Sequence, residues 1–210
     1  AEALAGIRNS IATNRLAHAY LVVGPPRGSA GVFAEQVLQM LFCTGNTKPC
    51  NDCRGCRLVH EHTHPDVFWV EPQLKTRTIG IDVIRKLNRD MFQTSYEGGW
   101  KAAVVSGADR LGTPGKEEAG NAFLKTLEEP PPRSVFLLLT DSPEAVLRTI
   151  RSRCHRIVLS CREAFVLDPA WRDALFTILM PPVTTSPLLT AAWRTLQMNR
   201  IMAALKDRIT

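Results

Sequence analysis

The chain contains no apolar run approaching the roughly 20 residues that a membrane-spanning helix requires, and it shows no internal repeat or low-complexity tract. Its first residues, AEALAGIRNSIATNRLA, lack the basic, apolar and cleavage regions of a secretory signal. They read instead as a helix, and a cytoplasmic protein is expected. Aromatic residues make up only 7% of the 210, with no interleaving of aromatic and basic residues that would mark a nucleic-acid-reading motif. Two further absences are more pointed. The stretch GPPRGSAG, residues 24–31, follows the apolar run AYLVV and precedes a helical pattern, the order of a phosphate-binding loop. A GxxxxGK[ST] loop would carry Lys at position 30 and Ser or Thr at 31. Here Gly24 and Gly28 remain, but Ser29 replaces the second glycine and Ala30 and Gly31 replace the working pair. Backbone amides are all that such a loop has to offer a phosphate.

The second absence lies in KAAVVSGADRL. A nucleotide hydrolase ends this type of strand with an acidic pair that serves metal and water. Those places hold Ser106 and Gly107, and Asp109 comes too late, as a cap or turn residue. A Gly-Lys pair in PGKEE, Gly115-Lys116, has no glycine five residues earlier and reads as a surface turn. Two missing catalytic features argue against nucleotide hydrolysis by the chain alone while leaving the shape of such an enzyme intact.

What is present is an ordinary globular composition, 45% apolar and 22% charged, with a formal charge of +6 that favours an anionic partner such as DNA. Apolar runs at AYLVV, DVFWVEP, KAAVVSGA, SVFLLLTD and HRIVLS alternate with amphipathic stretches. Leu4, Ile7, Ile11 and Leu16 fall near helical spacing, as do Ile81, Ile84, Leu87 and Met91. SPEAVLRTIRSRC starts as a Ser-Pro helix. Nearly all-apolar strands separated by helices predict an α/β fold, a parallel sheet covered on both faces, over residues 1–160. Residues 161–210 then read as a small helical unit split by a Pro-rich turn.

Of six cysteines, four crowd into CTGNTKPCNDCRGC. Cys43, Cys50, Cys53 and Cys56 suit a closed tetrahedral zinc site, a structural staple across the inserted segment 43–56. His60, His62 and His64 are close enough in sequence to replace one thiolate, or else serve as surface or hydrogen-bonding residues. Cys154 and Cys161 read as ordinary buried thiols. Finally, RTIRSRCHR gathers Arg148, Arg151, Arg153 and Arg156. This is either a basic helix end facing the negative pole of the dipole or the source of an arginine aimed at phosphate in another subunit.

Taken in order, HAYLVVGPP, the cysteine cluster followed by THPD, NAFLKTLEEPPP and IRSRC resemble bacterial clamp-loader subunits over about residues 1–160. The missing Lys and acidic pair make the chain similar to the delta-prime family of the DNA polymerase III loader rather than to its catalytic gamma/tau relatives. The resemblance implies an AAA+ fold with a degenerate nucleotide site, a subunit without ATPase activity of its own, and a place in the holoenzyme, a DNA-synthesising transferase. It implies that the subunit caps the loader ring beside gamma/tau and delta, meeting the sliding clamp and primed DNA through the complex. It also implies that Arg153, in the Ser-Arg-Cys motif, is an arginine finger for a neighbour's ATP. The spacing C-x6-C-x2-C-x2-C has a shorter first interval than the family pattern. Residues 161–210 leave room for one small unit rather than for both a lid and a collar, so a fragment or a divergent tail is expected. The competing readings are an active gamma/tau-like ATPase with an atypical loop, which Mg-ATP turnover would reveal, and a zinc-stapled DNA-binding module, which salt-sensitive DNA affinity would reveal.

Overall fold

The computed structural model describes residues 2–73, 77–97, 99–111 and 117–159. The expected helical unit at 161–210, Cys161 and the Gly115-Lys116 turn therefore lie outside the described residues. The described elements run α1 (Glu2–Ala12), β1 (Ala19–Val23), α2 (Ser29–Phe42), α3 (Arg54–His60), β2 (Val67–Val70), α4 (Ile81–Phe92), β3 (Lys101–Ser106), α5 (Glu118–Glu128), β4 (Ser134–Thr140), α6 (Arg148–Arg151) and β5 (His155–Val158). Short 3-10 turns lie at Ala108–Arg110 and Pro143–Ala145.

The strands form one five-stranded sheet in the order β2-β3-β4-β1-β5, and every pairing is parallel. Successive side chains of a strand point to opposite faces, and here both faces are apolar. Leu21, Ala103, Val105, Phe136 and Leu138 join one buried cluster with Ile84, Leu87 and Met91 of α4 and Phe123 and Leu127 of α5. Tyr20, Val22, Ala102, Val104, Leu137 and Leu139 join the other with Ile7 of α1 and Phe33, Val37 and Leu38 of α2. The apolar positions expected of α1 and α4 all belong to these clusters, Leu4, Ile11, Leu16 and Ile81 at their half-buried margins. The result is a three-layer α/β/α arrangement whose central strands had to be continuously apolar because neither face meets water. None of the described helices is long and apolar enough to cross a membrane.

The segment before β5 departs from the single helix expected at SPEAVLRTIRSRC. It forms a 3-10 turn, an extended step at Val146 (ψ 136°), and the four-residue α6. Burial explains the break. Val146 is sunk into the core at 2% exposure, and Leu147 packs where Gly120 of α5 lacks a Cβ. Tertiary packing of these two side chains outweighs the weak local helix preference. The helix α3 was not expected either. It begins inside the cysteine cluster, where the Cys53 side chain accepts the Cys56 amide as an N-cap.

Candidate functional site

Ligands of open α/β sheets gather at the carboxyl ends of the strands, and the loop 24–28 lies there, after β1. Two amides at its end are turned inward. Gly28 N–H and Ala30 N–H both donate to the Pro25 carbonyl, at 2.9 and 3.2 Å, and Val32 N–H donates to Gly28 O at 3.0 Å. The Pro25 oxygen thus takes donors that a phosphate loop reserves for its ligand. Ala30 is fully buried in the α2 face of the core, so its side chain faces apolar neighbours. At Gly31 a Cβ would stand 2.5 Å from the Pro26 carbonyl oxygen. The residues the loop lacks are therefore also residues this backbone has no room for.

The neighbouring strand ends are likewise occupied. Gly107 follows β3 in the left-handed region (φ 72°), and Asp109 falls in the 3-10 turn, as a turn residue was expected to. Its carboxylate accepts Thr140 Oγ1 at 2.8 Å and Arg110 Nε at 2.9 Å. Thr140 Oγ1 in turn accepts the Ser142 amide. These groups pin β3 to β4, and the strand end where an acidic pair would stand carries Ser106 and Gly107.

The four clustered cysteines do converge. The Sγ atoms of Cys43, Cys50, Cys53 and Cys56 lie within 4.8 Å of one another, and they make up the whole of this group among the described residues. Cys43 and Cys53 sulfurs are 4.0 Å apart, about twice the ~2.05 Å of a disulfide. Backbone N–H groups point at the sulfurs: Gly45 and Cys50 donate to Cys43, Cys53 to Cys50 and Cys56 to Cys53, at 3.3–3.4 Å. Such bonds favour thiolates. Donation from the Asp52 amide leads in pulling the Cys50 thiol down, and the Cys56 amide leads in pulling Cys53 down, to about 5. Burial pushes Cys56 up to about 12. Four thiolates in so small a volume repel one another without a cation, so this donor set could bind a structural metal such as zinc.

None of the three nearby histidines joins the thiols. His60 Nδ1 meets Glu35 Oε1 at 2.5 Å on the surface. His62 stacks on Trp69 with ring centroids 3.7 Å apart. His64, buried at 2% exposure, accepts the Asp66 amide at 3.2 Å and packs on Phe42; burial depresses its pKa. The sequence reading overlooked Asp66. Its buried carboxylate accepts Ser95 Oγ and the amides of Tyr96 and Glu97 at 2.7–3.0 Å, fastening the loop after α4 to the start of β2. Glu97 also pairs with Arg54 of α3 at 3.4 Å. A lone Asp before a strand carries no local sign of partners some thirty residues away. Cys154 is partly buried against the core, and burial pushes its thiol up to about 12, the inert behaviour expected of it.

The four arginines separate by environment. Arg148 and Arg156 are exposed. Arg151 is drawn back to Glu144 and to the Pro143 carbonyl. Arg153, in the turn between α6 and β5, donates through Nη1 to Thr149 O at 2.9 Å and through Nη2 to Glu128 Oε1 at 2.6 Å. Its side chain keeps 35% exposure.

A family model described as DNA polymerase III, delta subunit, matches residues 1–162. DNA polymerase III subunit delta' of Haemophilus influenzae is 38% identical over 143 residues, covering 66% of this chain and 41% of that protein. The Escherichia coli protein of the same name is 36% identical over 140 residues, again 66% and 41% of the two chains. The chain thus spans about two fifths of the length of these curated relatives. A solved Thermotoga maritima protein described as gamma subunit-related shares the fold, with a TM-score of 0.52 at 23% identity over 82% of this chain and 49% of its own. With its family model covering the whole sheet and its relatives consistently named delta', the chain belongs to the DNA polymerase III delta family as a delta-prime member.

Proposed function

We propose that this chain is the AAA+-type module of a noncatalytic clamp-loader subunit, which caps the loader ring and completes the ATP site of a neighbouring gamma/tau subunit with Arg153. The observation that carries the reading is the contrast between two places. The chain's own loop has two amides taken by the Pro25 carbonyl, while the Arg153 side chain, at a helix–strand junction, keeps 35% exposure. A guanidinium is always charged and offers donors in a fork that matches phosphate oxygens, and transferred arginines raise hydrolysis about 10³–10⁵-fold in other NTPases. The closed loop speaks against the active-ATPase alternative.

The partners follow from this reading: gamma/tau and delta subunits directly, the sliding clamp and primed DNA through the assembled complex. Zinc held by Cys43, Cys50, Cys53 and Cys56 is structural, because four thiolates complete a tetrahedral shell and leave no position for a reactant. It fixes α3 and the inserted segment beside α2. The test is a pair of measurements on the same preparation. The isolated chain gives no Mg-ATP turnover, and the reconstituted loader loses activity when Arg153 is removed. Turnover by the isolated chain that depends on its own loop would overturn the reading.

A further inference from the structure

Arg153 does not hang free in the turn that carries it. Its Nη2 meets Glu128 Oε1 at 2.6 Å and its Nη1 meets Thr149 O at 2.9 Å. A guanidinium has five N–H donors, so the Nε–H and one hydrogen on each terminal nitrogen stay available on the remaining edges. Two donors are gripped, and the side chain keeps 35% exposure.

Glu128 is an unexpected residue at its place. It is the last residue of α5, followed at the C-cap by Glu129, and a carboxylate there faces the negative pole of its own helix. Local helix energetics do not select it. Nor does the pair contribute much to folding, since Glu128 and Arg153 side chains are 48% and 35% exposed and ion pairs in such settings are weak. What the contact does restrict is a long, rotamer-rich side chain. Both ends are mounted on the same packed frame: Leu127 of α5 and Ile150 of α6 are buried in one cluster. By contrast Arg151, two residues earlier, is held by Glu144 from the 3-10 turn, so each arginine has its own carboxylate.

We infer that Glu128 is a positioning residue for Arg153, pre-orienting the guanidinium so that its free donors reach the neighbour's phosphates without a search over rotamers. The inference rests on Arg153 acting in trans as proposed above. Oriented groups gain their effect from geometry, and misplacement by about 1 Å can cost on the order of 10²-fold. The carboxylate neutralises part of the guanidinium's charge, yet the two contacts use only two of its five N–H donors.

The test is ATP hydrolysis by the reconstituted loader with clamp and primed DNA, using Glu128→Ala, Glu128→Gln, Arg153→Ala and the Glu128→Ala/Arg153→Ala double variant. Glu128→Ala lowers the Arg153-dependent part of kcat by about tenfold, with KM for ATP changed by less than about twofold. Glu128→Gln restores most of the loss, because its amide oxygen still accepts from Nη2. The double variant is no slower than Arg153→Ala, since a residue acting through Arg153 has nothing left to act on. A wild-type rate for Glu128→Ala beside a slow Arg153→Ala overturns this inference and leaves the arginine's role standing. A faster Glu128→Ala shows masking instead of positioning, and equal slowing by Glu128→Ala with or without Arg153 shows a structural role; either overturns it. A wild-type rate for Arg153→Ala removes both readings.

Discussion

The Pro26 carbonyl oxygen and Gly31 meet so closely that any Cβ at position 31 would lie 2.5 Å from that oxygen. Because the obstacle is backbone, it cannot swing aside as a side chain could. Loss of nucleotide chemistry here is thus written into the loop's path as well as its residues. Gly31→Thr destabilises the chain by about 1–3 kcal/mol, read as a fall in Tm. The Ala30→Lys/Gly31→Thr double variant still shows no Mg-ATP binding by titration, since Pro25 O keeps the Gly28 and Ala30 amides. Tight Mg-ATP binding by the double variant would contradict this account of the loop.

Metal removal separates two classes of thiol. Purified protein carries about one zinc per chain, and a strong chelator releases it. Alkylation at pH 8 then modifies Cys50 and Cys53, whose thiols are pulled down, while Cys56 and Cys154, their thiols pushed up to about 12, stay largely unreacted. Cys53→Ser abolishes stoichiometric zinc and loosens the α3 segment, with the helix and sheet signal of the remainder retained by circular dichroism. A well-folded protein that holds no metal as purified would contradict the assignment.

Most of the framework could be read from the sequence because it depends on local repetition. The strands from β1 to β5 announce themselves as apolar runs, and the thiol cluster as short, regular cysteine spacing. What escaped depends on contacts distant in sequence. The break at Val146 arises from burial against α5, the anchoring by Asp66 from a loop after α4, and the grip of Glu128 on Arg153 from a partner 25 residues away. The missing phosphate-loop Lys was visible, but the Pro25 carbonyl that fills the loop has no side-chain signature. The helix α3 was hidden because its N-cap is a cysteine already read as a ligand.

The His60–Glu35 pair has a definite pH sense. The Glu35 carboxylate, first through its hydrogen bond and then through its charge, raises the His60 pKa. A raised folded-state pKa means that the pair's contribution is fully present below the ordinary histidine value of about 6.5. It is lost as pH rises through the raised value. Glu35→Gln returns the His60 titration, followed by NMR, towards the ordinary value. An unchanged midpoint would show that Glu35 is not the cause. At His64 burial acts in the opposite sense and lowers the pKa.

The central claim concerns Arg153, and single-turnover ATP hydrolysis by the reconstituted loader with clamp and primed DNA tests it most directly. Arg153→Ala leaves assembly and Tm nearly unchanged, because its exposed ion pair contributes little to folding. Hydrolysis at the one site it serves falls by about 10²-fold or more, as transition-state charge loses a fixed donor. The total rate falls only in part if the other sites of the ring continue to turn over. Arg153→Lys rescues poorly, since an ammonium cannot reproduce the fork. Arg156→Ala, exposed in β5 three residues on, is the control and leaves the rate near wild type. A slow phase confined to the Arg153 variants is the result the account predicts. Identical time courses for wild-type and Arg153→Ala loaders would contradict it.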